Sequence, residues 1–485
     1  MLVNIDISTV VHPFLNRVCE KNYFYEDMLY PFVDQYKDTA VTDLLFNIFC
    51  QYSATDSTVL GTYEEKYFQR EECGKSVDYK NTFGSLYKLN CLYGVDPFDV
   101  WIKRCRDVGI HPWLSIRMND AHNNGWEPFS GRTSFFYEAK EKGWLLGPEN
   151  YGYYGWNFNY EIPEVRERML AYIAEQLDRY DVHGIELDFL REIICFAYHS
   201  EDIKECTRIM NSFIADVKEE VKKASEKWGH KILLAVRVMR DFEQSLRYGF
   251  DPCAWDVDVL VPSPRWASSD SGIAVSEWKK LCPRAKIFPC IETLFAVEPT
   301  HSGIMSAEVV RGHAASFREM GADDIYLYNF FSDPDTPHCK DGDKTGLPYM
   351  RNVSLYSSLD SYPKRFAVVG QSSEHYPDTF PTWRPFPCNN GEFDIVTGDI
   401  PKDKRAYITV GTAGDIENAE IYVNGDRIRD WSMIDLTYIP GIGAQPEGYV
   451  SPETVCFRAH ISTSTKIQKV IIKNSEICHL EIYVY

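Results

Sequence analysis

The stretch that most constrains this 485-residue chain is Tyr180–Glu192, with Gly184-Ile185-Glu186-Leu187-Asp188-Phe189 at its centre. Ile185, Leu187 and Phe189 alternate with Glu186 and Asp188. In a β-strand that spacing puts the apolar side chains on one face and both carboxylates on the other. The apolar face has to pack on something, so covering helices belong outside it. The acidic face then looks into a polar interior, such as the top of a barrel.

The chain on either side supplies such a structure. Strand patterns fall at Leu2–Ser8, Thr42–Phe49, His111–Asn119, the acidic strand, Lys231–Val238, Val257–Ser263, Lys286–Glu292 and Asp324–Phe330. Helical patterns separate them, at Tyr25–Tyr36, Asp96–Val108, Pro163–Tyr180, Glu201–Trp228, Phe242–Tyr248, Ser276–Leu281 and Ser306–Met320. Asp96 reads as a cap with Pro97 at the first helical position, and Gly321 as a helix end. The alternation predicts a (β/α)8 TIM barrel over residues 1–360, with the segments 51–95 and 120–160 as loop insertions. A doubly wound open sheet is disfavoured, because no Gly-rich phosphate loop follows the first strand.

Beyond Tyr362 the texture changes. Pro363, Pro377, Pro381, Pro385 and Pro387 predict a stiff linker over 361–388. Short alternating runs at Ala406–Val410, Ala419–Val423, Thr454–Arg458, Lys469–Lys473 and Leu480–Val484 then predict an antiparallel β-sandwich over 389–485. Asn424-Gly425 is a hairpin signal. With no catalytic cluster, this region reads as an accessory domain that packs on the barrel or shapes its cleft.

Composition narrows the partners. A net charge of −20 argues against nucleic acid and anionic membranes, which need clustered Lys and Arg. No apolar stretch approaches membrane-spanning length. The 14 Cys are scattered singly, without C-x-x-C or Cys/His spacing for zinc, and no H-x-H or H-E-x-x-H occurs. No metal or cofactor is therefore expected. Unpaired thiols and an N-terminus without a leader pattern point to a cytoplasmic protein.

Chemistry in such a barrel sits at the carboxyl ends of the strands. There the pattern places Asp188 on strand four, with Glu186 one layer deeper, and Glu292 on strand seven. Two carboxylates facing each other across the mouth could flank a glycosidic bond, one protonating the leaving oxygen and the other acting as nucleophile or activating water. Asp188 and Glu292 are the candidate catalytic pair, with the acid left open. Arg117 and Arg237 end the neighbouring strands, where they could hold a carboxylate ionised, grip an acidic substrate or line a structural ion-pair network. Asn47, Asn119, Asn159, Asn329, Trp156 and Trp266 could bind hydroxyls or stack on a sugar face. Asp6, Asp120, Asn157, Ser263 and Arg265 are further strand-end and loop groups of this kind, and His122 is a lone loop histidine.

Trp156-Asn157-Phe158-Asn159-Tyr160-Glu161-Ile162-Pro163-Glu164-Val165-Arg166, followed by Tyr180–Arg191, resembles the family-10-like putative glycosyl hydrolases, bacterial barrel proteins often joined to β domains. The resemblance is specific over about Trp156–Glu192. His183 departs from it, standing where the family has aspartate before the glycine of Gly184-Ile185-Glu186-Leu187-Asp188. Glu292 is also placed like the strand-seven nucleophile of clan A glycosidases, whereas Leu187-Asp188 replaces their strand-four asparagine-glutamate. The resemblance implies glycoside hydrolysis without naming a sugar. The expectation is a hydrolase of a small oligosaccharide or glycoside, exo-acting if the insertions wall the cleft. The alternatives are a non-catalytic carbohydrate-binding barrel and an enzyme of acidic, uronate sugars.

Overall fold

The structure is a computed structural model that describes the chain apart from residues 7–10, 22, 50–52, 62–84, 87, 121–132, 198–201, 265–270, 299–300, 305, 331–358, 369–387, 389, 413–415, 417 and 437–453. Its first part is one parallel sheet. The strands are β1 (Leu2–Ile5), β2 (Asp43–Phe49), β3 (His111–Arg117), β4 (Gly184–Asp188), β5 (Leu233–Met239), β6 (Val259–Ser263), β7 (Lys286–Ile287) and β8 (Cys290–Glu292). A hairpin of β9 (Leu294–Glu298) and β10 (His301–Ile304) follows, and then β11 (Tyr326–Tyr328). Strand order in the sheet is β7-β6-β5-β4-β3-β2-β1-β11-β8.

The two ends of that order are consecutive in the chain. The single strand expected at Lys286–Glu292 is divided at Phe288-Pro289, where proline has no N–H to give a ladder. Its first half bonds to β6, with Phe288 N donating to Leu260 O at 2.9 Å, and its second half pairs with β11. The sheet therefore begins and ends on one segment, the arrangement of a barrel.

Helices fill most intervals where the sequence signals place them; the helix expected at Tyr25–Tyr36 is instead the 3-10 turn Glu26–Leu29 and the short helix Pro31–Asp34, preceded by the helix His12–Cys19. Asp96 caps Pro97–Asp107 by accepting from Phe98 N at 3.0 Å, and Pro163–Arg179 starts on its proline. Ile203–Trp228 ends on Gly229, which adopts the left-handed conformation. Within 120–160, read as an insertion, lies the helix Ser134–Glu141, capped by Thr133. Side chains from alternate strand positions (Leu2, Leu45, Trp113, Ala235, Val259, Val261, Cys290 and Tyr326) form an apolar cluster inside the sheet, separate from the larger core outside it.

The second part is antiparallel. One sheet has the order β12-β20-β14-β18-β17 and the other β13-β19-β15-β16. These strands are β12 (Lys364–Val368), β13 (Gly391–Val396), β14 (Ala406–Thr412), β15 (Glu420–Val423), β16 (Asp426–Arg427), β17 (Ser432–Ile434), β18 (Val455–Ile461), β19 (Ile467–Lys473) and β20 (Ile477–Val484). β12 lies inside the stretch expected to be linker and pairs with β20 over its whole length. Asn424 and Gly425, both at positive φ, make the two-residue turn between β15 and β16.

This part is keyed to the helix Ala307–Glu319. A Cβ on Gly312 would meet Arg365 O at 2.0 Å, so only glycine lets β12 lie this close. Arg365 then bridges Glu308 of the helix (2.5 Å) and Glu481 of β20 (2.6 Å). Burial opposes the charge on Glu481, yet Arg365, His479 and Arg458 hold its pKa well below the usual carboxylate range.

Cys253 and Cys282 form a disulfide, which corrects the expectation of unpaired thiols for that pair, whereas Cys19, Cys105, Cys195 and Cys290 are buried thiols. Among the described residues no helix is long and apolar enough to cross a membrane.

Gly184 sets the position of β4. A Cβ there would fall 2.2 Å from the Trp113 ring, which is 1% exposed and cannot retreat. Gly184→Ala should lower stability by about 1–3 kcal/mol, the usual range for overpacking. An unchanged urea midpoint would refute this packing.

Candidate functional site

Residues two apart on β1, β3, β4 and β5 stack in layers inside the sheet. The register aligns Ser115, Glu186 and Ala235 in one layer and Arg117, Asp188 and Arg237 in the next, at the carboxyl ends. All of the polar members are buried.

In the upper layer Asp188 is engaged on both oxygens. Arg237 donates from Nε to Oδ1 at 2.8 Å and from Nη2 to Oδ2 at 2.9 Å. The amides of Leu190 and Arg191 add bonds to Oδ1 at 3.0 and 3.2 Å. Every one of these partners is a donor, which is the surrounding of a carboxylate and not of a proton donor. Arg237 also donates to Ser263 Oγ at 3.0 Å, and its guanidinium lies 3.7 Å from the centre of the Tyr328 ring. Arg117 reaches Asp6 at 2.6 Å and Asp120 at 3.0 Å, and stands 5.9 Å from the same ring. Both arginines are thus committed to carboxylates of the chain itself.

Glu292 ends β8. Its Oε2 accepts from Asn329 Nδ2 at 3.1 Å, and Asn329 takes a left-handed backbone (φ 52°) just past β11. Asparagine tolerates that conformation better than most residues.

Glu186 lies in the deeper layer. Its Oε2 accepts from Ser115 Oγ (2.7 Å), Tyr326 Oη (2.9 Å) and Asn4 Nδ2 (3.2 Å), while Oε1 has no partner among the described residues. Burial, and then the charge of Asp188, push its pKa up to about 7, against the pull of Arg237. The two carboxyls of one strand face are thereby set apart, Asp188 among donors and Glu186 inclined to hold its proton.

The other candidates divide. Asn47 sits beside Ser115 with its Nδ2 on backbone carbonyls at 3.4 Å and its buried Oδ1 without a partner. Asn119 is a structural clamp, because it donates to Phe158 O and Ile194 O and accepts from Phe158 N. Its hydrogen bonds hold two loops together. Asn159 is a turn residue that accepts from Glu161 N at 2.9 Å ahead of the Pro163–Arg179 helix. Asn157 donates to Ile194 O at 2.8 Å. Trp156 packs near Phe136 with Lys140 over its ring, on the Ser134–Glu141 helix. Trp266, Arg265 and His122 lie outside the described residues. Sequence reasoning missed Asn4, Ser115, Tyr326 and Tyr328. The usable signal was period two, since Asn4 and Asp6, or Tyr326 and Tyr328, share a face as Glu186 and Asp188 do.

No protein-family model and no curated protein matches the sequence. Among solved structures, the chain is similar to a cycloisomaltooligosaccharide glucanotransferase of a Paenibacillus species (TM-score 0.37, 9% identity, covering 100% of this chain and 57% of that one). It is similar to a GH138 enzyme targeting pectin rhamnogalacturonan II (0.38, 11%, covering 71% and 36%). A third likeness is to α-L-fucosidase isoenzyme 1 of Paenibacillus thiaminolyticus (0.34, 12%, covering 98% and 96%). Likeness at scores this low says nothing of activity.

The raised pKa of Glu186 has a sign that can be checked. The unfolded chain loses this proton near the ordinary value of 4.5, whereas the folded protein keeps it to about 7. The contribution to stability is therefore complete below 4.5 and lost as pH rises through 7. Glu186→Gln should flatten that decline in denaturation midpoints measured from pH 4 to pH 8. A decline equally steep in the variant would remove Glu186 as its source.

Proposed function

We propose that the chain is a glycoside hydrolase built on a (β/α)8 barrel (residues 1–360) with a β-sandwich accessory region (389–485). Asp188 and Glu292 would be its carboxylate pair. The observation that carries this reading is the layer at the carboxyl ends of the strands, where Asp188, Arg237, Arg117, Tyr328 and Glu292 come from different strands and are all buried. Glu292 is assigned proton transfer to the leaving oxygen, because Asp188 has only donors around it. Asp188 stabilises or captures the positive charge that develops at the sugar carbon. Buried polar atoms without a protein partner are places a ligand or water would satisfy. Glu186 Oε1, Asn47 Oδ1 and the Tyr328 hydroxyl are three such atoms inside the barrel, and sugar hydroxyls suit all three. A small oligosaccharide or glycoside is the fitting substrate. Recognition of a uronate is disfavoured, since Arg117 and Arg237 already bond Asp6, Asp120 and Asp188.

A second reading rests on the same saturation of Asp188. A carboxylate holding four donors has to give some of them up before it can react, which favours a barrel that binds sugar without cleaving it.

Turnover of a panel of aryl glycosides and oligosaccharides by wild type, Asp188→Asn and Glu292→Gln separates the two. Hydrolysis by wild type, reduced at least about 100-fold in both folded variants, is the expected result, in the range of losses from general acid–base groups. The anomer of the first product then distinguishes retention from inversion. Activity that survives either substitution removes that residue from the pair. Sugar binding without turnover by wild type selects the second reading.

A further inference from the structure

The opposite end of the strands carries a separate constellation. Asp43 is the first residue of β2, His111 the first of β3, and His183 immediately precedes β4. Asp43 and His111 are register partners, and His183 N donates to Pro112 O at 2.8 Å, so the three side chains sit side by side across adjacent strands. One donor atom from each lies within 4.8 Å of the other two. His183 is also the position at which the chain departs from the aspartate of the family it resembles, and the barrel-mouth chemistry makes no use of it.

We infer that Asp43, His111 and His183 form a transition-metal site, with zinc the best-fitting ion. Two imidazoles and a carboxylate suit zinc and its neighbours in the series, whereas calcium and magnesium prefer all-oxygen sites. His111 Nδ1 and Asp43 Oδ1 are 3.3 Å apart. That is long for a charge-assisted hydrogen bond, but it is close to the edge of a tetrahedron with bonds of about 2.0–2.1 Å. The carboxylate is already oriented, because Trp113 Nε1 donates to Oδ1 at 2.8 Å and Thr42 Oγ1 to Oδ2 at 2.6 Å. Outer donors of this kind fix the ligands of metal sites.

The imidazoles stack at 4.0 Å with planes 11° apart, so a shared ion requires one ring to turn about its Cβ–Cγ bond. His183, which lines a cavity at this edge, has the room, while His111 keeps its place beside Asp43. A cavity of about 300 Å³ lined by Arg106, Pro112, His111, His183 and His230 gives access and space for water in the remaining coordination positions. Arg106 and His230 in that wall both bond Asp181, at 2.7 and 2.6 Å, which offsets the charge of Arg106. The ion would tie the starts of β2, β3 and β4, and through Asp43 and Trp113 the layer beneath Glu186. Its role is structural, since it lies at the amino ends of the strands.

The test uses the full chain, stripped with chelator and dialysed. Thermal unfolding is followed against added zinc chloride, and cobalt chloride is titrated by visible absorption. The expected result is a Tm that climbs with zinc concentration, as binding to the folded state requires. Cobalt should give d–d bands of tetrahedral intensity. Both should vanish in the double variant His111→Gln/His183→Asn, compared with its own metal-free Tm. A wild type whose Tm does not respond to millimolar zinc overturns the site, and so does a response that the double variant retains. Should that variant fail to fold, wild-type protein is treated with diethyl pyrocarbonate with and without zinc. Mass spectrometry should show both histidines protected by the metal, and equal modification overturns the inference.

Discussion

The interior enclosed by the parallel sheet depends on the Asp188–Arg237 pair. Both side chains are essentially without solvent contact, and each would be costly alone, because taking a charge out of water is compensated only by a partner with good geometry. The pair has that geometry, with two near-parallel bonds of 2.8 and 2.9 Å, backbone amides on the carboxylate and a serine on the guanidinium. The aromatic face of Tyr328 lies against the guanidinium from the far side of the ring of strands. β4, β5, β6 and β11 are locked in relative height by this one contact set. Specificity of arrangement, more than net stability, is what a buried pair of this kind supplies.

The same pair shapes the groups around it. Burial, and then the charge of Asp188 one layer above, raises the pKa of Glu186 to about 7. A carboxylate anion at Glu186 would face Asp188 in the layer above, Ala235 beside it and the Trp113 ring one layer below. Glu186 takes three neutral donors on one oxygen. From the carboxyl ends downward the interior passes from the ionic layer of Asp188 and Arg237, through Glu186 and its neutral donors, to the ring of Trp113.

Much of this was legible because alternation is a local property. Glu186 and Asp188 announce a shared face in five residues, and Asp96-Pro97 or Ser306 announce a helix start without reference to anything distant. What sequence could not supply was three-dimensional choice. Asn119 has the look of a strand-end sugar ligand, yet loops 39 and 75 residues away claim its amide. The proline-rich stretch after Tyr362 contains β12, because a partner strand 116 residues further on offers its edge to Arg365 and its neighbours. Cys253 and Cys282 meet across 29 residues that carry no spacing signal. His111 and His183 are 72 positions apart and look like two lone histidines until parallel pairing sets their rings face to face.

The antiparallel part meets the Ala307–Glu319 helix by the same logic as β4 meets β3. In one case Gly184 leaves space for Trp113, and in the other Gly312 leaves space for the backbone of Arg365. Each glycine admits a bulky or charged neighbour whose far end is then bonded elsewhere, Trp113 to Asp43 and Arg365 to Glu308 and Glu481. A larger residue at either position would separate the layers and break a buried polar contact together. Packing and electrostatics are thus coupled at both junctions. That coupling means the height of the acidic strand is set from beneath by Trp113 and from above by Arg237, with little freedom left for the carboxylates between them.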